Sequence, residues 1–120
     1  MTAVAKPIQD GPIHHVVLFR LKDSVHDGEH LSKMLQTVRK NVPGIVELHF
    51  GKNVTDMYTG KLDRSGTYTH SLVSRHTSRE ALQAYIRHPD HIVLAKHFSA
   101  HKLGDTPLIA IDYFTPRSKI

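Results

Sequence analysis

YTHSLVSRHTSREALQAYIRHPDH, residues 68–91, changes its period halfway. From Tyr68 to Arg75 the residues alternate as a strand does, with Tyr68, His70 and Leu72 on one face and Thr69, Ser71 and Val73 on the other. Thr77, followed three residues later by Glu80, reads as a capping box. It opens a helix whose inner stripe is Leu82, Tyr85 and Ile86. His88-Pro89 breaks that helix, because proline disfavours helical backbone in the residue before it and fits the first turn of a new helix. The new helix runs from Pro89 to about Leu103 and stops at Gly104. A strand followed by two helices across a sharp joint predicts an α+β chain, and the joint itself carries a tyrosine and two histidines.

Upstream, Ile13 to Leu21 (IHHVVLFRL) is a second strand. His15, Val17, Phe19 and Leu21 share one face; His14, Val16, Leu18 and Arg20 share the other. Both faces are largely apolar, so both are expected to be covered, one by helices and one by a partner subunit. Leu31, Met34, Leu35 and Val38 follow at helical spacing. Asp27 is the expected N-cap, Arg39 and Lys40 suit the negative end of the dipole, and Pro43-Gly44 stops the helix. Ile45 to Lys52 is a strand with Val46, Leu48 and Phe50 inward. Residues 53–67 form a long loop, and Leu108 to Phe114 the last strand. The order β-α-β-β-α-α-β predicts a ferredoxin-like four-stranded antiparallel sheet with helices on one face. Residues 1–12 read as a loose leader, 13–116 as the domain and 117–120 as a tail.

The chain has 120 residues, 39% of them apolar, which suits one domain with a modest core. No apolar run is long enough for a membrane span, and the start lacks the layout of a secretory signal, so a cytoplasmic protein is expected. Cysteine is absent, which excludes disulfides, thiolate catalysis and cysteine metal sites. The formal charge of +5 is scattered rather than gathered into a stripe between exposed aromatics, so no nucleic-acid partner is expected.

The 11 histidines are the anomaly. If the shared faces look toward the helices, His15, His70, Tyr85 and His91 converge between sheet and helices. That set suits general acid–base chemistry, since histidine titrates near neutrality and tyrosine donates to an oxyanion. At the first turn of its helix, His91 is expected to feel the positive end of the dipole and stay neutral. Phe19, Leu21, Leu35 and Leu82 are the expected apolar walls. Each polar member also has a plainer reading, as a satisfied structural group or a core tyrosine. His88 reads as a joint residue, His14 as an interface residue, and His26, His30 and His76 as surface residues. His97 and His101, or His88 and His91, have chelating spacing, but no carboxylate completes either pair, so no metal is expected. No nucleophile elbow or phosphate-binding loop is present.

The stretches HHVVLFRLKDSV, FGKNVT, YTHSLVSRHTSREALQAYIRHPDH and PLIAIDYFTP resemble the stress-responsive A/B barrel (Dabb) family over about residues 13–116. The resemblance implies a dimeric α+β barrel, a homodimer closed through the sheet faces. It implies no cofactor. Family roles range from a polyketide cyclase, olivetolic acid cyclase, through heat-stable stress proteins to a hydroxynitrile lyase. Against the cyclase pattern, His15 matches the first-strand histidine, His70 the YTH histidine, Tyr85 the substrate-binding tyrosine and His91 the catalytic base. The resemblance therefore implies a cyclase or lyase acting on a small apolar or phenolic molecule by aldol-type ring closure or cyanohydrin cleavage. Its alternative is a non-enzymatic stress-response or ligand-binding barrel. Thr37, His76, Thr67 and the longer 53–67 loop depart from the pattern.

Overall fold

The computed structural model describes residues 9–57 and 65–116. The expectations for most of the leader, for the middle of the 53–67 loop and for the tail lie outside the described residues. The elements are β1 (Ile13–Phe19), a 3-10 turn (Asp23–His26), α1 (His30–Asn41), β2 (Ile45–Lys52), β3 (His70–His76), α2 (Arg79–Arg87), α3 (Pro89–Ala100) and β4 (Ile109–Phe114). The sheet has the order β2-β3-β1-β4, and every neighbouring pair is antiparallel. This is the ferredoxin-like α+β plan.

Alternation along β1 and β3 decides the layers. Ile13, His15, Val17 and Phe19 are buried on one face, as are His70, Leu72, Ser74 and His76 on the strand beside it. Leu31, Leu35 and Val38 of α1, Leu82 and Tyr85 of α2, and Leu94 and Phe98 of α3 cover that face. A fully buried leucine such as Leu94 contributes about 2 kcal/mol of transfer free energy. Gly44 ties the α1–β2 turn to α2. Its φ is +83°, and a Cβ there would lie 2.6 Å from the Ala81 Cβ, so only glycine fits.

Several local expectations need correction. Asp27 closes the 3-10 turn and does not cap α1; Glu29 precedes α1, with no side-chain cap. The 3-10 turn takes the residues that the hydrophobic period could not place. Ser78, not Thr77, caps α2, its Oγ accepting from the Ala81 N–H at 3.1 Å. Adjacent Thr and Ser offer two frames, and the box pattern chose the wrong one. The register of β2 shifts between Ile45 and Glu47, which turns Val46 outward to 46% exposure while Leu48 stays inside. Ile86 is likewise exposed. α3 ends at Ala100 rather than near Leu103, as the chain bends to place Lys102 opposite Leu21 in an isolated bridge.

Among the described residues no helix covers the other face of the sheet. Val16 and Leu18 lie there, half-buried, beside exposed Ile109, Ile111 and Tyr113 of β4. His14 stacks on Tyr113 in the same layer, with ring centroids 4.6 Å apart.

Candidate functional site

Three strands and the α2–α3 corner assemble the site. β1 places His15 inward, and the ladders set Ser74 of β3 on one side of it and Asp112 of β4 on the other. Nδ1 of His15 lies 2.5 Å from Oδ1 of Asp112. Two residues along β3 from Ser74, His76 bonds the Ser74 hydroxyl through Nε2 at 2.8 Å. Tyr85 comes from the inner stripe of α2. Pro89 starts α3, and the His88 ring accepts from the Asp90 N–H at 3.1 Å, which fixes the corner and brings His91 back over the sheet. The Tyr85 ring lies 4.5 Å from His91, 4.6 Å from His76 and 6.2 Å from His15, centroid to centroid.

The electrostatics follow from burial. His76 is fully buried, and desolvation pushes its pKa down to about 4, with the nearby His15 a smaller cause. His91 is also held below the ordinary imidazole value, again chiefly by burial, with the backbone of Ile86 pulling the other way. The sequence pointed to the helix dipole for this shift; burial is the larger cause. Burial pushes the Tyr85 phenol up to about 12, while Ser74 opposes the shift. The Tyr85 hydroxyl and Nδ1 of both His76 and His91 are buried and, among the described residues, form no hydrogen bond of proper geometry. At neutral pH His76 and His91 are therefore neutral imidazoles that can accept a proton, beside a phenol that keeps its own.

A cavity of about 540 Å³ opens between β1, β4 and α3. His15 and His91 are in its wall, with Phe19, Leu21, Leu72 and Phe98 among its apolar residues. Tyr85 stands behind the two histidines. Leu35 and Leu82, expected as walls, belong to the core and do not line the cavity. The volume is in the range of small-molecule sites.

His70 does not join this group. It faces inward as expected, but it pairs with Phe19 at the far end of β1, whereas Ser74 pairs with His15. There Nε2 of His70 lies 3.0 Å from Nε2 of His26, Nδ1 bonds Thr69 at 2.7 Å, and the ring stacks on Phe50. Face parity is legible in the sequence, while position along the strand depends on the register with β1. His76, read as a surface residue, is instead part of the site. Its parity with His70 and Leu72 was the signal that could have placed it. Asp112 was missed too; a lone carboxylate inside the apolar run IAIDYF was its signal. The rings of His97 and His101 are engaged with backbone: Nε2 of His97 with the Val25 carbonyl at 2.9 Å, Nδ1 of His101 with the His97 carbonyl at 2.8 Å.

The family model described as Stress responsive A/B Barrel Domain matches residues 13–114. Among curated proteins, the Arabidopsis thaliana stress-response A/B barrel domain-containing protein DABB1 is 32% identical over 111 residues, covering 88% of this chain and 48% of DABB1. The chain thus spans about half the length of that relative. Protein HS1 of the same plant is 30% identical over 112 residues, covering 90% of this chain and 93% of HS1. Among solved structures, the Arabidopsis thaliana protein At3g17210 superposes with a TM-score of 0.65 at 25% identity, over 90% of this chain and 99% of that one. A dimeric ferredoxin-like protein of unknown function from Thermobifida fusca gives 0.62 at 23% identity, over 88% and 92%. A hydroxynitrile lyase from Passiflora edulis gives 0.60 at 18% identity, over 92% and 98%. The last two likenesses are likenesses of fold.

Proposed function

The chain belongs to the stress-responsive A/B barrel domain family, and from that premise we propose that it is a homodimeric barrel performing acid–base chemistry on a small, largely apolar or phenolic molecule. The observation that carries this reading is the placement of His91 and His15 together in the wall of an apolar cavity, with Tyr85 against the His91 ring. His91, kept neutral by burial, is the base. It removes a proton from a carbon beside a carbonyl, and the resulting carbanion closes on a second carbonyl of the same molecule. The new alkoxide takes a proton from Tyr85 or from protonated His91, so the step balances with no oxidant or reductant. In the lyase version His91 takes the hydroxyl proton of a cyanohydrin, the C–C bond breaks, and cyanide leaves. The hydroxynitrile lyase among the structural neighbours supports keeping this version beside the cyclase. His15, held by Asp112, orders the wall.

The dimer forms through the uncovered sheet face, and the Thermobifida fusca neighbour, described as dimeric, supports this. Among the described residues no helix is long and apolar enough to cross a membrane, and we place the protein in the cytoplasm. A second reading, ligand binding without turnover, is favoured by one observation: Tyr85 is fully buried and not in the cavity wall.

The test is turnover of aromatic cyanohydrins and of linear polyketides by the wild type and His91→Ala. The acid–base reading expects turnover of one class and a loss of about 10²-fold or more in the variant. Turnover that survives His91→Ala overturns it, and binding of both classes with turnover of neither establishes the second reading.

A further inference from the structure

The cavity is polar at both ends, and only one end holds the acid–base residues. His15 and His91 mark that end. Away from that end the lining includes Arg20, just past the end of β1, and Lys102, just past the end of α3, together with the hydroxyl residues Ser99 and Thr106. Apolar side chains, including Val17, Leu21 and Leu108, make the wall from one end to the other. Neither cation has an acidic partner among the described residues. Arg20 reaches only the Thr106 hydroxyl, at a long 3.4 Å, and Lys102 is in no ion pair. From His91 to Lys102 the chain advances about 16 Å along the α3 axis at the rise of a helix.

We infer that this cavity takes an elongated amphipathic carboxylate, with its acid group between Arg20 and Lys102 and its apolar body running toward His15 and His91. The inference rests on the acid–base reading for what happens at the His91 end, and it adds the substrate class. Charge complementarity is the argument. A guanidinium matches a carboxylate through two parallel hydrogen bonds, an ammonium adds a point charge, and two flanking hydroxyls can complete the set. Lys102 alone could be explained by the negative end of α3, since cations gather at helix C-termini. Arg20 has no such role: it leaves the end of a strand and turns toward the same end of the same cavity. A neutral ligand would leave both cations in the wall without a counter-charge. A cationic one would be repelled.

The test is calorimetric titration of the full chain with dodecanoate, dodecanol, dodecylamine and dodecyl phosphate, all below micelle formation, at pH 7.5. Dodecanoate should bind at least about tenfold more tightly than dodecanol, the difference expected of one charge-assisted pair, and dodecylamine weakest of all. Arg20→Gln with Lys102→Gln should erase the preference for dodecanoate and leave dodecanol unchanged. In His91→Ala the preference for dodecanoate over dodecanol should persist whatever happens to the two affinities, which separates this result from turnover at the other end. The inference is overturned if dodecanol matches dodecanoate, if dodecyl phosphate exceeds it, if no chain of the series binds, or if the double variant keeps the preference. Turnover of neutral substrates lost in His91→Ala alongside any of those results would overturn the carboxylate inference and leave the acid–base reading standing.

Discussion

His15 and Asp112 face each other across the β1–β4 ladder, and the carboxylate lies 2.5 Å from Nδ1 of the ring. An ionised carboxylate only accepts, so Nδ1 of the ring carries a proton toward it, and whenever the ring is neutral the lone pair is on Nε2. Asp112 therefore sets a tautomer in the cavity wall, although its own side chain is 45% exposed. In Asp112→Ala, nitrogen-resolved NMR should show the His15 proton spread over both ring nitrogens rather than held on Nδ1. Turnover should fall by roughly tenfold through the misplaced lone pair, and the melting temperature should move little, because solvent screens a carboxylate that is itself nearly half exposed. An unchanged His15 spectrum would show that the carboxylate has no hold on the ring.

Tyr85 presents the opposite balance of stability and activity. Its hydroxyl is buried with no hydrogen bond of proper geometry, an arrangement that costs about 1–3 kcal/mol when nothing offsets it. Removing it should therefore not destabilise the fold. Tyr85→Phe should melt at the same temperature as the wild type or a few degrees above it. If the phenol is the donor to a substrate oxygen, turnover falls by about 10²-fold. A variant that is both less stable and fully active would assign the hydroxyl to the core.

The layers of this fold were legible because they depend on period alone. Alternation in β1 and β3 and the helical stripe of α1 mark the buried face in the sequence alone. Where a second variable entered, period was not enough. His70 and His15 share a face, but His70 pairs with Phe19, four residues along β1 from His15. Val46 has the right parity, yet an irregularity at Ile45–Glu47 turns it out. Ser78 and Thr77 are chemically equivalent caps, and the choice between them rests on where the chain leaves β3. His76 and Asp112 became site residues only through pairing and packing across distant segments. Arg20 was assigned by parity to the outer face, but β1 ends at Phe19 and the alternation no longer applies to it.

The uncovered sheet face gives a prediction about assembly. Ile111 is 57% exposed, pairs with Val16 and sits between Ile109 and Tyr113 on the same face. Exposed apolar neighbours of this kind mark an interface, and a stable dimer needs more than about 1,000 Å² in total. Ile111→Asp should shift sedimentation at micromolar concentration from dimer to monomer. Within one subunit the substitution is nearly free, within about 0.5 kcal/mol, because the side chain packs on little. A wild type that sediments as a monomer, or an Ile111→Asp dimer as tight as the wild type, would place the interface elsewhere.

His76 gives the sharpest pH prediction. In the unfolded chain its ring takes a proton near the ordinary imidazole value of 6.5, while in the folded chain burial holds the pKa at about 4. Between those values the unfolded state binds a proton that the folded state refuses, so stability falls as pH drops through the window and is complete above it. Burial shifts His70 and His91 in the same direction, and both add to the same slope. In His76→Phe the ring no longer titrates, so the fall in melting temperature from pH 7 to pH 4.5 should be smaller by about 4 °C or more. At pH 7.5 the same variant should lose about 1 kcal/mol at most, because the Ser74 hydroxyl loses its partner in a buried place while the unpartnered Nδ1 disappears with the ring. The measurement is thermal unfolding across that pH range for both proteins. Parallel curves would mean that His76 is protonated in the folded chain, and that the site is far wetter than its burial implies.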